Sequence, residues 1–160
     1  MLVPFEDLSK EARVWIYPSN RPFRETEIEE ITKKLEIFIT AWSAHGAALQ
    51  ASFSLPYNRF IVIAVDENQH AASGCSIDAS VHFIQQLEQE YDITLLDKMN
   101  VSFKQGEYIT YKTLLEFKTM VKKKAVTENT IVFNHLVVNK EEFLSQWEVP
   151  AKDSWHARYF

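Results

Sequence analysis

The chain of 160 residues has a single cysteine, Cys75, and three glycines, at 46, 74 and 106. A lone thiol has no intrachain partner, so no disulfide framework holds the fold, and this usage fits a reducing compartment. With so few glycines there is no phosphate-cradling loop. No G-x-x-x-x-G-K-[ST], G-x-G-x-x-G or G-x-S-x-G pattern occurs. The longest unbroken apolar run, Phe60 to Val65, is far too short to cross a bilayer. The opening MLVPFEDLSKEA lacks the basic start and apolar stretch of a secretory signal. Positive charge is also in deficit. Seventeen Lys and Arg against 22 Asp and Glu give a net charge of −5, which repels phosphate backbones and argues against a nucleic-acid partner. The expectation is a cytoplasmic protein with no membrane span, no nucleic-acid partner and no cofactor.

Apolar residues are plentiful. They make up 46% of the chain, and 13% of it is aromatic, enough to bury a core and offset the ordering entropy. One domain over residues 1–160 is expected. Arg13 to Tyr17 reads as a short strand, stopped by Pro18 and Pro22. Thr26-Glu27-Ile28-Glu29 has the form of a capping box. Ile28, Ile31, Leu35, Phe38, Ile39 and Trp42 follow at helical spacing. Ser43 to Gly46 ends that helix, with Gly46 as its stop. Leu49 to Leu55 alternates like a half-buried strand, whereas Phe60 to Val65 is apolar at every position, like a strand covered on both faces. Ile77, Val81, Ile84, Leu87 and Tyr91 mark a second helix, capped by Ser76 or Asp78, and Val101 to Phe103 a further strand.

The order is β-α-β-β-α-β. An α+β fold with a ferredoxin-like core and an antiparallel sheet follows, with the first and third strands central. The remaining chain reads as a C-terminal β-α-β-α extension. Tyr108 to Lys112 is a strand, a helix opens at the capping box Thr113 to Glu116, Thr130 to Val138 is a strand, and Asn139 to Trp147 a short helix. The tail from Val149 to Phe160, rich in aromatics, is expected to pack back onto the domain.

The stretch with most chemical potential is Asp66 to Phe83. Cys75 lies at the start of the second helix, in Ser73-Gly74-Cys75-Ser76. A helix N-terminus presents unpaired N–H groups and partial positive charge, so it lowers a thiol's pKa or holds an anion. The expected topology gathers His45, Asp66, Glu67, His70, Cys75 and Lys104 at one end of the sheet. Cys75 as nucleophile, His45 or His70 as base and Asp66 as orienter would make a thiol-dependent enzyme. Ser73, Gly74, Ser76 and Lys104 would instead hold an anionic ligand. His70 and Cys75 are five residues apart with no C-x-x-C or H-E-x-x-H pattern, so no metal site is expected. The opposite end carries Asn20, Arg21, Arg24, Tyr57, Asn58 and Arg59, whose arginines suit a carboxylate or phosphate. Phe60 to Val65 lacks the glycine–aromatic pattern with which RNA-recognition strands stack bases.

Several segments in this order carry a family resemblance. They are Val14 to Tyr17 with Asn20 to Phe23, Trp42 with Ala44-His45-Gly46, Tyr57 to Phe60, Ser73 to Asp78, and Val149 to Lys152 with Ser154-Trp155-His156. The chain resembles, over nearly its whole length, a family of small uncharacterised bacterial proteins often labelled "ABC transporter ATPase". The resemblance implies one soluble domain and supplies no catalytic residues, because the P-loop that such an ATPase needs is missing. The functional expectation is a binding or interaction module for a small molecule or a protein, without catalysis. A thiol-dependent enzyme using Cys75 is the alternative.

Overall fold

The computed structural model describes residues 1–160. Its centre is strand β5 (Phe60–Asp66), buried at every position. A strand hides both sets of alternate side chains only when both faces are covered. Strands β1 (Arg13–Pro18) and β4 (Gln50–Ser54) flank it, both antiparallel, in the order β1-β5-β4. Ile61, Ile63 and Val65 face helices α1 (Glu25–Ala41) and α2 (Gly74–Tyr91), meeting Ile31, Leu35, Ile39, Ile84 and Leu87 at helical spacing. Phe60, Val62 and Ala64 face the opposite way, with Val14 and Ile16 of β1. Each fully buried side chain of this size contributes about 2 kcal/mol, so the position of β5 is set by its own sequence.

The start of α1 differs from the expected capping box by two residues. Arg24 is the cap, and its N–H donates to Glu27 Oε1 at 2.8 Å. Arg21 grips the same carboxylate bidentately at 2.8 and 3.0 Å and donates to the Tyr91 carbonyl at 2.7 Å. The hydrogen bond from Arg21 holds the Glu27 carboxyl down at about pKa 2. Gly46 does not stop this helix. Helix α1 ends at Ala41, and a small hairpin of β2 (Ser43–Ala44) and β3 (Ala47–Ala48) follows.

The ferredoxin-like expectation places the strand after α2 beside β1. The structure corrects this. Strand β6 (Val101–Gln105) joins β7 (Tyr108–Lys112), β8 (Ile131–Phe133) and β9 (Glu148–Pro150) in a separate antiparallel sheet, ordered β7-β6-β8-β9. Two local facts account for it. Gly106, at φ +63°, takes the first place of a two-residue loop, which matches a II′ hairpin and folds β6 straight back onto β7. The outer edge of β1 is already engaged, because Val14 N–H donates to the Val138 carbonyl at 3.0 Å and Arg13 bridges Asn139.

The C-terminal order is β-α-β-α as expected, with one strand more. Helix α3 (Leu114–Lys122) opens at the Thr113–Glu116 box, with both reciprocal bonds at 3.1 Å. The strand expected over Thr130 to Val138 stops at Phe133. Asn134 turns the chain, donating its N–H to the Trp147 carbonyl and accepting Leu136 N–H on its side chain. Helix α4 (Lys140–Gln146) is capped by Asn139, and the tail then supplies β9 before packing back.

Four layers result. The helices α1 and α2 cover the first sheet, and the second sheet packs on its other face through Phe133 and Ile109. Helix α3 and the tail cover the far side of the second sheet, where Phe117, Val126 and Ala151 meet Val101, Phe103 and Val132. No helix is long and apolar enough to cross a membrane.

Candidate functional site

The last residue of β5 leads into the loop that opens α2, and the β2–β3 hairpin stands beside that loop. Between them lies a cleft of about 460 Å³, lined by Ala44, His45, Gln69, His70 and Ser73 among others. The hairpin is turned by His45 and Gly46, at φ +51° and +79°. Positive φ at both positions is the I′ form that favours Asn-Gly. A histidine in the first position accepts a strained backbone, and strain of this kind concentrates where a side chain is needed in one place.

Ser73, the residue before α2, closes one side of the cleft. Ser73 is the cap; its Oγ accepts Ser76 N–H at 3.1 Å, and Ser76 Oγ accepts Ser73 N–H at 2.7 Å. The cap is therefore Ser73, one turn ahead of the expected Ser76 or Asp78. Ser76 is buried and also donates to the Ser73 carbonyl at 2.8 Å, so its hydroxyl is committed to the helix start. Glu67 Oε2 accepts Ala72 N–H at 2.8 Å. The N–H groups of Gly74 and Cys75, the first two helical residues, have no acceptor in the protein. They are the unsatisfied donors of a helix start, next in the chain to Ser73.

Of the expected site residues, the structure brings His45, His70 and Ser73 to one cleft, with Gly74 and Cys75 beginning the helix behind them. The nucleophile–base–orienter set is not assembled. Cys75 is exposed and enters no side-chain hydrogen bond. Asp66 is nearly buried, and its two oxygens accept Ser9 N–H and Asn68 N–H, each at 3.1 Å, so it ties the N-terminal segment to β5 and orients neither histidine. Lys104 is elsewhere. With β6 in the second sheet, its ammonium meets Glu148 at 3.1 Å and Tyr57 Oη at 3.3 Å, at the opposite end of β5. No group of three or more His, Cys, Asp or Glu side chains is arranged to hold a metal ion.

Two other features escaped the sequence reading. The largest surface cavity, about 760 Å³, runs between α1 and α2 and is lined by Ile37, Phe38, Phe83 and Leu87 beside Lys34 and Glu90. Gln86 and Gln89 complete its lining. His135 and His156 are buried, and burial pushes their pKa down to about 3 and about 4. Nothing in the spacing of the five histidines separates these two from the exposed His45 and His70. Compared with known proteins, the chain matches no family model, no curated protein and no solved structure.

Proposed function

We propose that the protein is a cytosolic binding module without catalysis, and that the cleft between the β2–β3 hairpin and the start of α2 takes a small anion. The observation that carries this reading is that His45 and His70 line one cleft with Ser73, the cap of a helix whose first two N–H groups are unbonded. Backbone donors and a helix dipole favour negative charge. We read the unit β1-α1-β4-β5-α2 as ferredoxin-like, with its fourth strand given over to the second sheet. On the segments quoted above, we group the chain with the small bacterial proteins labelled "ABC transporter ATPase", without the phosphate hydrolysis that the label implies.

The test is an amide NMR titration with sodium sulfate. Saturable shifts at Gly74 and Cys75, weaker in His45→Asn, are the expected result. Asparagine suits the I′ turn, so this variant separates ligand binding from folding. Unmoved amides at Gly74 and Cys75 would sink the reading.

A second reading, a thiol-dependent enzyme, is favoured by the exposure of Cys75 at the second helical position. It requires alkylation of the native protein with a midpoint well below the ordinary thiol value of about 8.5. Alkylation no faster than in the unfolded chain at every pH would eliminate it.

A further inference from the structure

Helices α1 and α2 form the outer layer on their side of the molecule, and they run antiparallel. Lys34 meets Glu90 at 2.5 Å, the Phe38 and Phe83 rings stack at 4.6 Å, and Trp42 Nε1 reaches the Ser76 carbonyl at 2.8 Å, in that order along the pair. The outward side of a surface helix is ordinarily polar. In the middle of α1 it is not. Ile37 is 72% exposed, and it lines the groove of about 760 Å³ between the helices together with Phe38, Phe83 and Leu87.

The charges of the groove say what fits it. Its lining holds one cation, Lys34, and one anion, Glu90, level with each other at one end. From Phe38 to the end of α1 there is no charged residue. A nucleic acid or an anionic lipid surface needs an excess of positive charge, and a strongly charged protein partner needs an excess of the opposite sign. This groove has neither, and it is complementary to itself. A twofold axis along the groove keeps each residue at its own level and exchanges the two helices, so that α1 of one copy lies on α2 of the other. Lys34 then meets the partner's Glu90, Glu90 meets the partner's Lys34, and Ile37 enters the partner's groove beside the partner's Phe83. An axis across the helices would instead set the charged end on the uncharged one. One patch serving both copies is the rule in twofold dimers.

The area suffices for a weak dimer. With 17 and 18 residues, α1 and α2 are each about 26 Å long, and a helix pair at ordinary spacing is about 20 Å across. The face is then about 500 Å² in each copy and about 1,000 Å² in the dimer, at the lower bound of a specific interface.

We propose that the α1–α2 face is a docking surface for a second copy of this chain, and that the two copies form a weak twofold dimer with its axis along the groove. The proposal goes beyond the anion cleft and rests on none of its residues.

The experiment is sedimentation equilibrium of the full chain from micromolar to millimolar concentration, with three variants. The wild-type mass is expected to rise from one chain towards two. Ile37→Asp should stay at one chain throughout, with an unchanged urea midpoint, because Ile37 is largely in solvent in the monomer. Lys34→Glu and Glu90→Lys, each alone, set like charges across the interface and should weaken association by at least about tenfold. Mixed in equal amounts, these two variants should associate again, since every cross-interface pair then has opposite signs. Only a contact between Lys34 of one copy and Glu90 of the other predicts that recovery. A wild-type chain that stays monomeric at millimolar concentration overturns the proposal, whatever the variants do. So does a dimer that survives Ile37→Asp, undiminished association of the single charge variants, or a mixture that is not rescued. A monomer whose Ile37 and Phe83 amides respond to phosphatidylcholine vesicles would assign the groove to a lipid surface and overturn it as well.

Discussion

Lowering the pH from 7.5 to 5 should cost this protein about 4 kcal/mol of stability, through two histidines. His135 is 3% exposed, its Nδ1 accepts Trp147 Nε1–H at 3.3 Å, and its Nε2 has no partner. Burial pushes its pKa down to about 3, helped by the positive charges of His156 and Lys98. His156 is 1% exposed, hydrogen-bonded between Nδ1 and Ser154 Oγ at 2.7 Å, and burial takes it to about 4. Both return to about 6.5 in the unfolded chain. Below that value the unfolded chain binds protons that the folded one refuses, so stability falls as pH falls. The loss begins near 6.5 and is complete only below the folded values. At pH 5 each histidine contributes about 2 kcal/mol, since one pKa unit is about 1.4 kcal/mol. Against a typical total of about 5–15 kcal/mol, this brings the fold close to its limit.

Urea denaturation followed by tryptophan fluorescence, at pH steps between 7.5 and 5, measures the loss directly. The slope near pH 5 should correspond to uptake of about two protons on unfolding. His135→Phe removes one of the two groups, so the difference between pH 7.5 and pH 5 should shrink by about 2 kcal/mol whatever the variant's stability at neutral pH. Carboxylates do not imitate this. Glu27, held at about 2, acts only as pH falls from about 4.5 towards that value. A stability unchanged between pH 7.5 and 5 would refute the reasoning. So would a native His135 ring resonance that titrates near 6.5, because it would show that the imidazole reaches water.

Two further outcomes follow from local geometry. Arg21→Ala leaves the Glu27 carboxylate, 9% exposed, without its bidentate partner, and should cost about 2 kcal/mol in urea denaturation at pH 7; an unchanged midpoint would mean that the pair is fully screened. Gly106→Ala places a β-carbon at φ +63° with open space around it, so backbone strain alone should lower stability by about 1 kcal/mol. Hydrogen exchange should then quicken first in β6 and β7, and a uniform effect over both sheets would count against the hairpin as the cause.

The parts legible in the sequence are those fixed by a period. Phe60 to Val65 could only be a strand covered on both faces, and it is. The spacing from Ile31 to Ile39 and from Ile84 to Leu87 gave both helices and the face each presents. The contrast between an unbroken apolar run and an alternating one separated the central β5 from the outer β4, whereas β1, expected in the centre as well, is an outer strand of the three. The second sheet was not legible, because the choice between β1 and β7 as neighbour of β6 turns on one glycine loop and on residues 138 and 139 reaching the edge of β1 from far along the chain. Strand β9, three residues long, has no periodic signal at all. The candidate site divides in the same way. His70 and Ser73 share a cleft because their places depend on β5 and α2, whereas His45 reaches it on the β2–β3 hairpin, which has no periodic signal. Lys104 was misplaced because its place depends on β6. The burial of Arg59 at the seam of the two sheets had no signal, since arginines are ordinarily solvated.

The two faces of the first sheet are finished to different standards. Towards α1 and α2 the core is apolar, and its polar groups are bonded, as with Trp42 Nε1 on the Ser76 carbonyl at 2.8 Å and Ser80 Oγ on the Ile77 carbonyl at 2.6 Å. Towards the second sheet, Arg59 Nε, Ser102 Oγ and His135 Nε2 are all buried without a protein partner. Each unsatisfied group costs about 1–3 kcal/mol, whereas apolar groups of the same shape in those places would be neutral or stabilising. Packing alone gives no reason to keep an arginine, a serine and a histidine at one interface. The seam is also the face that acid attacks first, through His135.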